Sequence, residues 1–160
     1  MVIRRFNEND APSVSALIIK TMRISNARDY SPDEIEALIL RQQPGDILHK
    51  ASWTHFYVAE QDGAIIGCGA IGPYWGRSDE SCLFSIFVLP ERQRRGVGRA
   101  IVEALERDEF ALRARRIEIP ASITGLDFYR RLGYDYKGGN RLLDDERLYR
   151  LEKHRREDTA

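Results

Sequence analysis

Apolar positions recur with two periods along this chain, and the changes of period divide it into elements. Val2 to Phe6 predicts a short opening strand. Val14, Leu17, Ile18 and Met22 then recur at helical spacing, and Asp10 before them reads as an N-cap, so a helix is predicted to about Met22. A second helix starts more sharply. Ser31 is the N-cap, Pro32 stands at N1 where a missing N–H costs nothing, and Glu34 completes a capping box. Ile35, Leu38 and Ile39 supply its apolar face. The link RISNARDY (residues 23–30) reads as a loop or as a frayed end of the first helix.

The period then falls to two. Trp53 to Glu60 and Ala64 to Ile71 predict strands joined by Asp62-Gly63, a dipeptide suited to the positive φ angles of a tight hairpin. Gly67, Gly69 and Gly72 in the second strand predict a bulge or a close backbone approach. After the loop GPYWGRSDE, Cys82 to Leu89 is almost wholly apolar, as in a strand buried on both faces, and Pro90 ends it. From Gly96 a long helix is predicted, with Val97, Ile101, Ala104, Leu105 and Leu112 on one face. Arg116 to Pro120 is a further strand. Thr124 and Asp127 form a capping-type pair opening a short helix, LDFYRRL, and Gly133 closes it. Tyr134 to Lys137 and Leu148 to Leu151 read as closing strands. The strand–helix–strand run from Cys82 to Pro120 is a parallel βαβ unit, whereas the preceding hairpin is antiparallel. The expected fold is a single α/β domain over residues 1–153, a mixed central sheet with flanking helices, followed by a frayed tail at 154–160.

Composition narrows the partners. The 160 residues hold 25 basic and 25 acidic side chains, for a formal net charge of zero, which speaks against a nucleic-acid binder. Cys68 and Cys82 are too few and too far apart for a metal knuckle, and the three histidines are scattered, so no metal site is expected. The cysteines read as small fillers of apolar strands in a reducing compartment. No run has signal-peptide or transmembrane character. A cytoplasmic protein without a membrane partner is the expectation, and the assembly is left open between a monomer and a homodimer.

The segment PERQRRGVGRA, Pro90 to Ala100, sets Gly96 and Gly98 among Arg92, Arg94, Arg95 and Arg99. A glycine turn opening a helix lets an anion approach the backbone, and the first helical N–H groups have no internal acceptor. Arginine adds a fixed fork of donors. A solvated corner is the bland alternative, and the buried strand before the turn favours the phosphate reading. Neither GxxxxGK[ST] nor GxGxxG occurs, so the ligand is a phosphate-bearing molecule other than those bound by P-loops and dinucleotide folds.

The run Gln93 to Gly98 resembles motif A of the GCN5-related N-acetyltransferase (GNAT) family, (Q/R)xxGx(G/A), and Phe128 to Tyr134, FYRRLGY, resembles a second signature of that family. The resemblance implies acetyl-CoA as acyl-donor co-substrate. It places the pyrophosphate on Gln93, Arg94, Arg95, Gly96, Val97, Gly98 and Arg99. The pantetheine arm falls to the backbone of Phe87 and Val88, and to Ser122, which stands where relatives often carry Asn. It implies Tyr129 as the general acid for the leaving thiolate. Relatives often place a glutamate on or before the fourth strand; here Glu80, beside Asp79, is the candidate base, with His55 or water as alternatives. Asn26, Arg28, Asp29, Tyr30, Tyr74 and Trp75 are the expected acceptor contacts. The implied activity is acetyl transfer to a primary amine of a small molecule by direct attack. A non-catalytic acyl-CoA-binding or regulatory module, and acetylation of a protein amine, are the alternatives.

Overall fold

The computed structural model describes residues 1–155. Seven strands form one mixed sheet in the order β1-β2-β3-β4-β5-β7-β6: β1 (Val2–Arg5), β2 (His55–Gln61), β3 (Ala64–Pro73), β4 (Glu80–Val88), β5 (Arg116–Ala121), β6 (Asp135–Tyr136) and β7 (Tyr149–His154). Only β4 and β5 are parallel; every other neighbour pair is antiparallel. The helices are α1 (Ala11–Ile24), α2 (Pro32–Ile39), α3 (Pro44–Trp53), α4 (Val97–Glu106), α5 (Glu109–Leu112) and α6 (Leu126–Arg131). None is long and apolar enough to cross a membrane.

Alternation in the strands sends side chains to two separate cores. Phe56, Val58, Cys68 and Ala70 pack on one face with Val14, Leu17 and Ile18 of α1, Ile35 and Ile39 of α2, and Ile47 of α3. Ile66, Ile71, Leu83, Ile117 and Ile119 pack on the other with Val97, Ile101, Val102 and Leu105 of α4 and with Tyr129 of α6. Gly69 sits where α4 crosses β3. A Cβ there would lie 2.7 Å from Ile101 Cγ2 and 3.2 Å from both Ile86 Cγ1 and Leu105 Cδ1. The strand is bare at this point so that the helix can come close.

Several elements depart from the sequence reading, each for a local reason. Asp10 caps nothing in α1. Its carboxylate completes a capping box with Asn7 one turn earlier and accepts two bonds from Arg4, at 2.8 and 3.0 Å. Residues 44–53 form a helix, α3, where no element was expected, and Trp53 ends it rather than opening β2. Its start repeats the chemistry of α2, with Pro44 at N1 and Asp46 at N3 accepting from the Gln43 N–H at 2.9 Å. The long helix breaks after Glu106: Asp108 accepts from the Phe110 N–H at 2.9 Å and starts α5, which leaves Leu112 on the surface. Thr124 donates to Asp29 instead of capping α6. His154 and Arg155, expected in a frayed tail, are instead tied to the sheet: His154 belongs to β7 and the Arg155 N–H donates to the Arg115 carbonyl at 2.9 Å; the rest of that expected tail, residues 156–160, lies outside the described residues.

Gly69→Ala is expected to destabilise the protein by about 1–3 kcal/mol through overpacking against Ile101. Gly45→Ala, in the first turn of α3 with nothing within 4 Å of the added Cβ, is expected to be neutral or to stabilise by about 0.4–1 kcal/mol. Chemical denaturation of both variants checks the pair.

Candidate active site

The parallel strands β4 and β5 pair at only three positions, Glu80↔Arg116, Ser81↔Ile117 and Cys82↔Glu118, and then part. Two features hold them apart. In β4, Ser85 takes φ +54° and lies in a bulge, where Ser85 and Ile86 oppose Gly69 of β3 between the pairs Ala70↔Phe84 and Cys68↔Phe87. A bulge bends its strand and sharpens the twist. In β5, the Arg155–Arg115 hydrogen bond fixes the alternation with β7, so odd-numbered residues bond β7 and Pro120 turns its nitrogen toward β4. That nitrogen carries no hydrogen and cannot continue the ladder. The result is a wedge, open at the C-terminal ends of the two strands.

The same parity sorts the backbone of β4. The Leu89 N–H donates to the Ile66 carbonyl at 2.9 Å, so Phe87 is bonded to β3 and Val88 turns its N–H and carbonyl into the wedge. The Val88 carbonyl is already taken by the Gln93 side-chain amide at 3.0 Å, which also donates to Ser25 Oγ at 3.0 Å. Of the two residues expected to offer backbone groups, Val88 has a free N–H facing the gap and Phe87 does not.

Just beyond β4 the chain turns through Pro90–Arg92 and enters α4 at Gly96, which has φ +83° and ψ 4° and no side-chain cap. The first internal bond of the helix is Ala100 N–H to Gly96 O, so the amides of Val97, Gly98 and Arg99 have no intrahelical acceptor. Arg94, Arg95 and Arg99 are exposed around them and form no ion pair among the described residues. Arg92 points elsewhere and donates to Gln61 at 3.1 Å. Gly98 serves packing as well as approach: a Cβ there would meet the Phe128 ring at 2.9 Å.

From the β5 side, Ser122 Oγ accepts the Gly125 N–H at 3.0 Å and shapes the entry to α6. One turn on, Tyr129 is buried, and its hydroxyl donates to no described residue. Burial pushes its phenol well above the usual value, with the nearby Cys68 adding to the effect. The Cys68 and Cys82 thiols are likewise pushed up to about 12 by burial and stay protonated.

Glu80 stands apart from this group. It opens β4 at the closed end of the wedge, about 25 Å of strand from Val88, and Arg116 Nε donates to it at 3.0 Å. Arg116 is itself buried and also donates to Glu118 at 2.9 Å and to Glu152 at 3.1 Å. These contacts clamp β4, β5 and β7 where they still pair. His55 is structural: its Nδ1 lies 2.8 Å from Asp108, which also accepts from Tyr57 at 2.6 Å. Of the expected acceptor contacts, Asp29 and Tyr30 tie the α1–α2 link to the β5–α6 loop. Tyr30 donates to the Arg147 carbonyl at 2.8 Å and accepts from the Ile123 N–H at 2.9 Å. Tyr74 and Trp75 line an open cavity of about 520 Å³ with Trp53. Lys50, which reaches Ser85 at the bulge, was missed because α3 was missed; the repeated Pro-at-N1, acid-at-N3 pattern was the available signal.

The chain as a whole matches known proteins. The model of the acetyltransferase (GNAT) domain fits residues 52–136, more than half of the chain, and the chain belongs to the GNAT family. The uncharacterized N-acetyltransferase YafP of Escherichia coli K12 is 28% identical over 133 residues, covering 82% of this chain and 79% of YafP. The PaiA N-acetyltransferase of Thermoplasma acidophilum, solved in complex with coenzyme A, superposes with a TM-score of 0.81 over 96% of this chain and 98% of that one, at 16% identity. A GNAT acetyltransferase of Brucella melitensis, solved with acetyl-CoA, gives 0.66 over 99% and 90%, at 22% identity. These structures share the fold.

Gly96→Ala is expected to cost about 1–2 kcal/mol, the penalty of a left-handed backbone for a residue with a Cβ, because nothing lies within 4 Å of the added atom. Denaturation midpoints measure it. A loss far beyond that range would mean that the turn carries packing the structure does not contain.

Proposed function

We propose that this protein transfers the acetyl group of acetyl-CoA to a primary amine of a small molecule by direct attack. One observation carries the reading: three amides without an intrahelical acceptor, Val97 to Arg99, stand beside three exposed arginines that form no ion pair among the described residues, in the turn that follows β4. A pyrophosphate there meets backbone donors, the positive end of a helix and fixed guanidinium forks together. Gly96 and Gly98 belong to this turn, and Gln93 holds it against the end of β4 through its side chain. Solved relatives containing coenzyme A or acetyl-CoA support the donor.

The bound donor supplies an electrophilic thioester carbon and a thiolate leaving group. The acceptor nitrogen forms the C–N bond with its lone pair, the C–S bond breaks, and the sulfur keeps that electron pair. Val88 offers its N–H to the donor within the wedge. Tyr129 gives the departing sulfur its proton. Burial raises its phenol well above the ordinary value near 10, so the hydroxyl stays protonated over the working pH range and acts as a donor. With no internal partner, that O–H is available to an incoming sulfur. The amine's proton leaves to water. Glu80 takes no part as a base, because it is neutralised by Arg116 at the far end of β4.

A screen of thiol release from acetyl-CoA with a panel of amines tests the activity; binding without turnover across the panel would favour a non-catalytic acyl-CoA module. With a chemistry-limited substrate, Tyr129→Phe is expected to lower kcat by about 10²–10⁴-fold and to leave coenzyme A affinity unchanged. A folded variant with parental kcat would remove Tyr129 from the mechanism.

A further inference from the structure

Lys50 is a cation in an apolar setting without a counter-charge among the described residues. It lies near the end of α3, one helical turn before Trp53. Its ammonium is 3.4 Å from Ser85 Oγ at the β4 bulge and 5.3 Å from the centre of the Phe84 ring. No described carboxylate pairs with it; the titratable groups that act on it are the thiols of Cys68 and Cys82, which burial keeps protonated and neutral. Burial holds its pKa below the usual lysine value, the sign of a desolvated charge that an anion would stabilise. The contrast within the same face is sharp. Glu118, opposite Cys82 across the closed end of the wedge, is matched by Arg116 at 2.9 Å and by Lys137 at 2.8 Å. Its charge is fully answered, and it leaves Lys50 alone.

The surroundings of Lys50 are aromatic. Trp53 meets the Phe84 ring edge-on at 5.1 Å and Trp75 meets it at 6.3 Å. Trp53 and Trp75 also line the open cavity with Tyr74, whose size suits an amino-acid-sized ligand. Phe84 is thus shared between an unpaired cation and an aromatic wall, and Ser85, one residue on, lies beyond the last β4–β5 pair.

We propose that the acceptor is an amine carrying a carboxylate on an aromatic or large apolar body, with the carboxylate held by Lys50 and Ser85 and the body against Phe84, Trp53 and Trp75. The inference deepens the acetyl-transfer reading and rests on it for the word acceptor, though not for the binding. A carboxylate at Lys50 keeps the α-amine within two bonds of that anchor, beside the wedge. A fixed cation nearby also disfavours the ammonium form of that amine, which favours the neutral nucleophile that attack requires.

The chain has two tryptophans, and both line this cavity, so intrinsic fluorescence reports on it without labels or turnover. N-acetyl-L-phenylalanine and N-phenethylacetamide differ by the carboxylate alone. Titrated separately into the protein, the acid is expected to bind at least tenfold more tightly. Lys50→Met is expected to abolish that preference while leaving the neutral amide's affinity unchanged, which also shows that the cavity is intact. Lys50→Arg is expected to keep most of the preference. In turnover with acetyl-CoA, phenylalanine is expected to exceed phenethylamine in kcat/KM by tenfold or more, with the advantage lost in Lys50→Met. Equal affinities in the parent protein, or a preference that survives Lys50→Met, would overturn the carboxylate site. The two readings fail separately. Charge-selective binding with no transfer to any amine would reject the acetyl-transfer reading and leave the carboxylate site standing. Transfer to both amines, indifferent to Lys50, would do the reverse.

Discussion

The separation of β4 from β5 is the constraint on which the site depends. Parallel neighbours in a sheet ordinarily stay bonded along their length, because each unpaired N–H or carbonyl in the interior costs free energy. Here the ladder stops after Cys82↔Glu118. Ser85 bends one strand through a left-handed residue, and Pro120 removes a donor from the other. Neither strand can close the gap alone. The Val88 N–H is therefore turned away from β3 and left without a β5 partner. The helix turn at Gly96 stands at the open end of the gap because it directly follows β4.

Charge is distributed to match that geometry. At the closed end Arg116, buried against Glu80, Glu118 and Glu152, joins three strands. Removing one partner of such a cluster would strand a buried charge, so the cluster enforces register where pairing is needed. At the open end Arg94, Arg95 and Arg99 are exposed and unpaired among the described residues. One end of the wedge is electrostatically satisfied by the protein itself, and the other presents exposed guanidinium groups. Lys50, beside Ser85 at the β4 bulge, likewise has no carboxylate partner among the described residues.

Much of this was legible in the chain, and the reasons differ by residue. The Ser31-Pro32-Glu34 box, the Asp62-Gly63 turn and the apolar run before Pro90 encode local geometry, and the structure contains all three. The turn of α4 was legible because only glycine readily takes the φ of Gly96. What escaped was set by contacts distant in sequence. Asp10 has the composition of a cap, but Arg4 and the Asn7 box claim it. Glu80 has the composition of a base, but its partner Arg116 lies 36 residues away. The Ser122 hydroxyl accepts the Gly125 N–H and the Phe87 backbone is bonded to β3. Lys50 was not legible as a candidate because its setting depends on a bulge in β4 and on the lack of a carboxylate beside it among the described residues, neither of which is a local pattern.

The direct test of the wedge as a coenzyme A site is an amide-resolved NMR titration of the full chain with coenzyme A. The largest shift changes should fall on the Val97, Gly98 and Arg99 amides and on Val88, whose N–H groups have no partner among the described residues, while the Phe87 and Leu89 amides bonded to β3 move less. Saturable binding whose changes spare the start of α4 and Val88, or no binding, would contradict the placement of the donor between β4 and β5.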